Sequence, residues 1–131
     1  MMNSIVEYMK SLDNFVFIGS VDENTILSAE NKLGLKFADD YRKYVKVFGV
    51  ASISSHELTG VCSFHRLNVV DVTEAQREFC RNIPDNLYVI EELHLDSIVI
   101  WQSETGEIYE TIGTNSPIKI FDSLMDYLEK Y

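Results

Sequence analysis

The stretch 87–112, LYVIEELHLDSIVIWQSETGEIYETI, decides the fold of this chain. It contains two nearly continuous apolar runs, 87–90 and 98–101, which are typical of strands buried on both faces. The sequence Ser-Glu-Thr-Gly at 103–106 is turn chemistry that leads into a third strand at 107–112. The stretch therefore predicts a three-stranded antiparallel meander.

Helical periodicity surrounds this meander on both sides. Apolar residues at helical spacing predict helices near 2–13, between Ser20 and Gly34, over 39–48, from 71 or 73 onward, and over 121–128. Shorter strands are predicted at 15–18, near Ile53, at 58–61 and at 67–70. Because hairpins dominate this order, the chain predicts a single α+β domain over 1–131, with one antiparallel sheet of about four to six strands and helices packed around it.

Negative charge is concentrated in the second half of the chain. Residues 1–70 carry 7 basic and 8 acidic side chains, whereas residues 71–131 carry 4 basic and 13 acidic ones. The segment between Arg81 and Lys119 has no lysine or arginine at all. A field of one sign speeds the encounter with a cationic partner and repels nucleic acid and anionic membranes. The charge pattern therefore predicts a basic protein partner, with no nucleic acid and no membrane.

The cellular compartment follows from two missing signals and from the cysteines. The N-terminal residues do not form a secretory signal, and no apolar run approaches the ~18–20 residues that span a bilayer. We therefore expect a cytoplasmic protein, in which Cys62 and Cys80 are free, buried thiols.

The sequence gives little support for a metal, a cofactor or a catalytic group. Structural zinc needs four ligands in paired spacings, and Cys62 and His65 are the only pair at a plausible interval. A nucleophilic pair between Cys80 and His56, His65 or His94 is formally possible, but Cys80 falls beside the apolar stripe of a helix, where a thiol is usually inert. We predict a protein that is not an enzyme and that needs no cofactor or metal.

Three blocks of residues, in a fixed order, resemble a known family. The first is Ile26 with Glu30-Asn31-Lys32-Leu33-Gly34, followed by Tyr41-Arg42-Lys43-Tyr44-Val45 and Gly49, and the second is Glu57-Leu58-Thr59-Gly60. The third comprises 87–92, the strand 98–101, Gly106-Glu107-Ile108-Tyr109 and 121–128. At these spacings the chain resembles the SUKH superfamily, the immunity-protein group related to a yeast regulator of cell-wall synthesis.

The resemblance implies an α+β domain without catalytic residues. It also implies a likeness to bacterial domains that look like cytoplasmic antidotes, which bind and block a cognate toxin, often a nuclease. Together with the acidic second half, it leads us to predict an immunity protein that captures a basic toxin. A regulatory or scaffold module that binds a protein other than a toxin is the open alternative.

The acidic meander supplies the candidate binding residues. We predict a charged rim and two apolar anchors within it, because charges steer association and aromatic side chains are enriched at binding hot spots. Tyr109 is the better anchor, since it shares a strand face with Glu107 and Thr111, opposite Ile108 and Ile112. The rim residues are Glu91, Glu92, Asp96, Glu104, Glu107 and Glu110, and the anchors are Tyr109 and Trp101.

Overall fold

The computed structural model describes residues 4–54 and 56–130, and within them it has five α-helices and seven strands. In chain order these are α1 Ile5–Lys10, β1 Phe15–Phe17, α2 Glu23–Leu33, α3 Asp39–Phe48, β2 Ala51–Ile53, β3 His56–Glu57, α4 Val69–Phe79, β4 Leu87–Glu92, β5 Ile98–Ser103, β6 Ile108–Ile112, β7 Ile118–Phe121 and α5 Leu124–Leu128. A 3₁₀ turn at His65–Leu67 precedes α4. The predicted α+β class is confirmed.

The strands form two antiparallel sheets, in the orders β1-β2-β3 and β4-β5-β6-β7. Thr59 joins them, because its amide donates to the carbonyl of Ile90 at 2.9 Å and its hydroxyl donates to the carbonyl of Val89 at 2.7 Å. β1 and β7 are consequently the outermost strands, one at each end of the combined set. The near-neutral half of the chain supplies the β1 end, and the acidic half supplies the β7 end.

A capping side chain starts α2, and glycines end both α2 and α3 within the predicted ranges. Asp22 Oδ1 accepts the amide of Thr25 at 2.8 Å and starts α2. Gly34 and Gly49 end α2 and α3 at φ +71° and +72°, in the region that glycine adopts without a steric cost.

The four-stranded sheet separates two apolar clusters. Alternate residues of β4 and β5, including Tyr88 and Ile100, face the main core, which also contains side chains from α1, α2, α3 and α5. The opposite face presents Val89 and Trp101 to a smaller cluster with Val72 of α4. The meander is therefore covered on both faces near β4 and β5, as its continuous apolar runs predict.

The segment around Asn68 differs from its predicted structure. The predicted strand at 67–70 is wrong, because Asn68 Oδ1 accepts the amide of Val70 at 2.9 Å and starts α4 at Val69. The helix predicted from residue 71 or 73 onward is α4, in which Val72 is buried and Phe79, its last residue, is exposed. In the predicted strand 58–61, only Gly60 forms a bridge, to Asn68.

The end of the chain contains a strand that the sequence patterns did not predict. β7 pairs with β6 in a segment to which no strand was assigned, so the meander has four strands. α5 consequently begins at Leu124, where Ser123 Oγ accepts the amide of Asp126 at 3.1 Å, and Phe121 lies in β7. The predicted first helix is shorter than expected, at Ile5–Lys10, and its positions 2 and 3 lie outside the described residues.

Candidate binding surface

Glu91 is buried, which contradicts its predicted place on a surface rim. The residue is 2% exposed; its Oε1 accepts the hydroxyl of Tyr127 at 2.6 Å, and its Oε2 lies 2.8 Å from His56 Nδ1. The cause is a register shift between Val89 and Glu91, which breaks the alternation of β4 and leaves both Ile90 and Glu91 inside. Glu91 therefore links β3, β4 and α5.

Trp101 is also an interior residue and cannot be a surface anchor. It is fully buried in the cluster beneath α4, and its indole Nε1 donates to Thr111 Oγ1 at 2.9 Å. Tyr109 is half-buried at the edge of that cluster, and its hydroxyl donates to Glu107 Oε1 at 3.1 Å. Burial raises the pKa of the Tyr109 hydroxyl, so it remains protonated and can donate this bond. Tyr109 thus remains available at the surface only in part.

The five remaining rim carboxylates do not share one face. Glu92 is opposite Val99, and Asp96 lies in the turn before β5, whereas Glu104 follows the other end of β5. Glu104 is five positions along the chain from Val99, so the two groups are about 17 Å apart along the sheet. Glu107 lies near Glu104, and Glu110 is paired with Ile118 toward the Asp96 end. The predicted rim is therefore divided between the two ends of the meander.

Exposed apolar side chains accompany the carboxylates at one of these ends. Leu95 is 62% exposed, Ile112 is 47% exposed and Ile118 is 66% exposed. We call these three residues, with Asp96 and Glu110, the turn-end patch. Exposed apolar side chains that are flanked by charged residues are typical of protein interaction sites.

Strand pairing explains how the turn-end patch is assembled. Ile112 is opposite Ile98, and Ile118 is opposite Glu110. The amide of Gly113 donates to the carbonyl of Ser97 at 3.0 Å, which joins the β4–β5 and β6–β7 turns. Periodicity predicts an inward Ile112 and an exposed Thr111, but the reverse is observed, because Thr111 lies opposite Val99 on the covered face and accepts the indole N–H of Trp101. Leu95, within the polar segment His94–Ser97, was the one detectable signal of surface apolarity.

Ion pairing further separates the two ends. Lys119 Nζ lies 3.2 Å from Glu107 and 2.7 Å from Asp122. The hydrogen bond to Asp122, and to a smaller extent that to Glu107, raises the pKa of Lys119. Within 4–54 and 56–130, Asp96 and Glu110 form no ion pair. The charges of the turn-end patch are therefore available to an external cation.

The opposite end has an acidic cleft whose side chains are partly committed to the fold. A cleft of about 430 Å³ is lined by Asp39, Asp40, Glu104 and Asp122. Asp40 accepts Gln102 Nε2 at 3.0 Å and the amide of Leu124 at 3.0 Å, and Glu104 accepts the amide of Lys36 at 2.7 Å. Among residues 4–54 and 56–130, no large exposed apolar side chain lines this cleft.

The thiols and histidines are placed in structural settings. Burial raises the pKa of both Cys62 and Cys80, whose Sγ atoms donate to the carbonyls of Phe64 and Gly113. His65 Nδ1 lies 2.8 Å from Asp71 Oδ2. In the part of the chain that the structure describes, no group of three or more His, Cys, Asp or Glu could hold a metal ion. The helices described are all too short or too polar to cross a membrane.

Comparison with known proteins identifies the family of this chain. The family model described as SUKH_5, SMI1-KNR4 cell-wall, matches residues 2–131. The chain belongs to this SUKH family. A crystal structure of a protein from Pseudomonas syringae pv. tomato is similar to this SUKH chain at a TM-score of 0.76 and 12% identity, covering 95% of this chain and 93% of that one. That similarity shows a shared fold, and none of the curated proteins matches.

The blocks that carried the SUKH resemblance have structural roles. Arg42 Nε donates to the buried Glu30 at 3.0 Å, and the Tyr44 hydroxyl donates to the carbonyl of Thr59 at 2.6 Å. Gly60 lies against the carbonyl of Gly49, where a Cβ atom would overlap the oxygen. These family features stabilise the SUKH fold and do not themselves locate its binding surface.

Proposed function

We propose that this SUKH protein is a cytoplasmic, non-catalytic immunity protein that binds and neutralises a cognate basic toxin, with nucleases as the leading class. Family membership supports the general role. The turn-end patch is the observation that carries the proposal, because it combines exposed apolar side chains with carboxylates that have no internal cation. A positively charged active-site cleft on the toxin is the complementary surface.

Charge and apolar contact would act at different stages of binding. The carboxylates of the second half raise the association rate, because they attract a basic partner over a distance of about one Debye length. Glu92, Glu104 and Glu107 contribute mainly to this long-range field, together with Asp96 and Glu110. Leu95, Ile112 and Ile118 are desolvated on contact and set the lifetime of the complex. Tyr109 contributes the part of its ring that remains exposed.

The settings of the cysteines and histidines support a role without catalysis. A thiol with a raised pKa is protonated near neutral pH and is a poor nucleophile. His65 Nδ1 lies 2.8 Å from a carboxylate oxygen of Asp71, and His56 Nδ1 lies 2.8 Å from one of Glu91. Steric and electrostatic capture is the mechanism that these settings favour.

Co-expression with the product of the neighbouring gene tests this function. The chain should rescue growth when that product is toxic, and the two proteins should co-purify more strongly at low salt than at high salt. The double variant Asp96→Lys/Glu110→Lys should weaken both effects. Glu74→Lys/Glu78→Lys, which makes the same charge change on the exposed face of α4, is the matched control. No rescue by the wild-type chain contradicts the proposal.

The SMI1-KNR4 cell-wall description favours one second candidate, a regulatory or scaffold module. Such a module would bind a protein of its own cell through the same patch. It predicts a partner that is not toxic and a chain whose deletion alters growth in the absence of any toxin. The rescue experiment separates the two functions directly.

A further inference from the structure

β1 is an outer strand with an unusual amount of exposed apolar surface. Val16, Phe17 and Ile18 are consecutive, and each is at least half exposed, with Val16 at 63%. Sheet edges in soluble proteins are commonly protected by charged residues or proline, and this strand has neither. The edge is therefore a candidate template for pairing with another strand.

Strand register shows which backbone groups face outward. The amide of Ile18 donates to the carbonyl of Val50, so in this antiparallel pair the groups of Val16 also point toward β2. The groups of Phe15 and Phe17 must then point away from β2. The partner of Phe17, Ala51, accepts the amide of Leu58, the residue after β3, with its carbonyl, which agrees with this assignment.

The exposed face of this sheet is apolar beside the edge. A shallow cavity of about 140 Å³ is lined by Val16, Ile18, Val50 and Leu67, among others. On the other face, Phe15 and Phe17 stack with ring centroids 5.6 Å apart, and both rings contact Phe48. A strand added at this edge would extend apolar packing on both faces.

We propose that a second copy of this chain pairs with this edge, β1 against β1 in an antiparallel arrangement centred on Val16. Charge favours this occupant. Residues 1–70 carry 7 basic and 8 acidic groups, so the two copies meet through near-neutral surfaces. In each copy the acidic segment belongs to the other sheet, β4-β5-β6-β7, away from β1. A basic toxin would find no such charge complement at β1.

The twofold arrangement is self-complementary. Phe15 of each copy pairs with Phe17 of the other. The outward amide and carbonyl groups of both residues are therefore hydrogen-bonded in two symmetry-related pairs. Val16 meets its own counterpart in a pair without hydrogen bonds, where the Cα atoms are about 4.5 Å apart. The interface is at the small end of the range for protein contacts, so the dimer is concentration dependent.

Sedimentation of the purified chain tests the proposal. The wild-type chain should shift from monomer to dimer with rising concentration, and Val16→Lys should raise the dissociation constant at least about tenfold. Ile118→Lys is the matched control, since Ile118 is 66% exposed on the opposite edge strand, and it should leave the dimer unchanged. A wild-type chain that stays monomeric up to about 500 µM overturns the proposal, as does a Val16→Lys variant that dimerises like the wild type.

Disulfide trapping tests the register independently. In a Cys62→Ser background, Val16→Cys should form a covalent dimer on mild oxidation, because the two Cα atoms fall within the range for a disulfide. Ile18→Cys is the control: it is similarly exposed, but its counterpart lies about 14 Å away in this register. Equal cross-linking of the two variants contradicts pairing centred on Val16. Neither test involves a toxin, so failure here leaves the proposed function intact.

Discussion

The hydroxyl of Tyr127 donates a 2.6 Å hydrogen bond to Oε1 of Glu91, a carboxylate that is 2% exposed. This contact links α5 to β4 beside β3, where the two sheets meet. It also assigns Glu91 to the interior, where losing a polar partner costs more than it does at the surface.

Tyr127→Phe should destabilise the protein by about 1–3 kcal/mol, because it removes a donor from a buried carboxylate. Urea unfolding measures this. Tyr109→Phe removes a hydroxyl that donates to the partly exposed Glu107 and is the matched control, with an expected cost below about 0.5 kcal/mol. Equal costs for the two variants would contradict the structural role of Glu91.

Gly60→Ala should be far more damaging than its small size suggests. A Cβ atom at residue 60 would overlap the carbonyl oxygen of Gly49, so the backbone must move, and we expect a loss of more than about 3 kcal/mol. Gly113→Ala is the control, since its Cβ would meet nothing within 4 Å and only its positive φ is strained. The control should lose about 1 kcal/mol in thermal or urea unfolding. A Gly60→Ala variant as stable as the control would contradict the close approach of Gly60 to the carbonyl of Gly49.

Acid should weaken one surface ion pair in a predictable direction. Hydrogen bonds from Arg66 lower the pKa of Glu57. This pair therefore adds stability above the ordinary pKa of glutamate, and the contribution is lost as the pH falls through the lowered value. Since the pair is largely solvated, the effect is below about 1 kcal/mol. Melting temperatures of wild type and Glu57→Gln should converge as the pH falls from 6 to about 3, and a constant difference would exclude the contribution.

Alanine at His65, His94 or Cys80 should leave protection against a toxin intact. Binding without catalysis needs none of these side chains, and burial keeps the pKa of Cys80 raised. Growth rescue at matched expression levels is the measurement. Loss of rescue by a variant that is still folded and still binds the toxin would indicate catalysis.

Some structural features depend on local sequence, and others depend on contacts between distant segments. Capping by Asp22 and the positive φ of Gly34 are local, and the apolar runs of β4 and β5 reflect burial on both faces, so these elements were predictable. β7 was not, because its pairing with β6 is a contact between segments and its own pattern also fits the start of a helix. The burial of Glu91 depends on a register shift that no periodicity reveals.

The candidate surface was predictable only in part. Charge counts identify the acidic half, and Asp96 and Glu110 remain candidates. Ile112 was missed because strand alternation does not indicate which face is covered, and Ile118 was missed because β7 itself was not predicted. The distribution of the rim carboxylates over two ends of the sheet likewise depends on strand pairing.

The turn-end patch predicts how the binding rates of a toxin should change. Asp96→Lys/Glu110→Lys should lower the association rate about tenfold at low salt and by less at high salt. Ile118→Ser should instead speed dissociation, because it removes a desolvated apolar contact. Stopped-flow mixing with the neighbouring gene product measures both rates. Glu74→Lys/Glu78→Lys, with the same net charge change, should have a smaller effect, and equal effects would mean that only total charge matters.

Amide hydrogen exchange of the chain with and without its partner tests the central claim most directly. The account predicts that binding protects residues 92–98 and 110–118, the segments that form the turn-end patch, and leaves α2 and β1 unchanged. Protection confined to residues 4–70 would contradict it, because the contact would then lie wholly within the near-neutral half of the molecule.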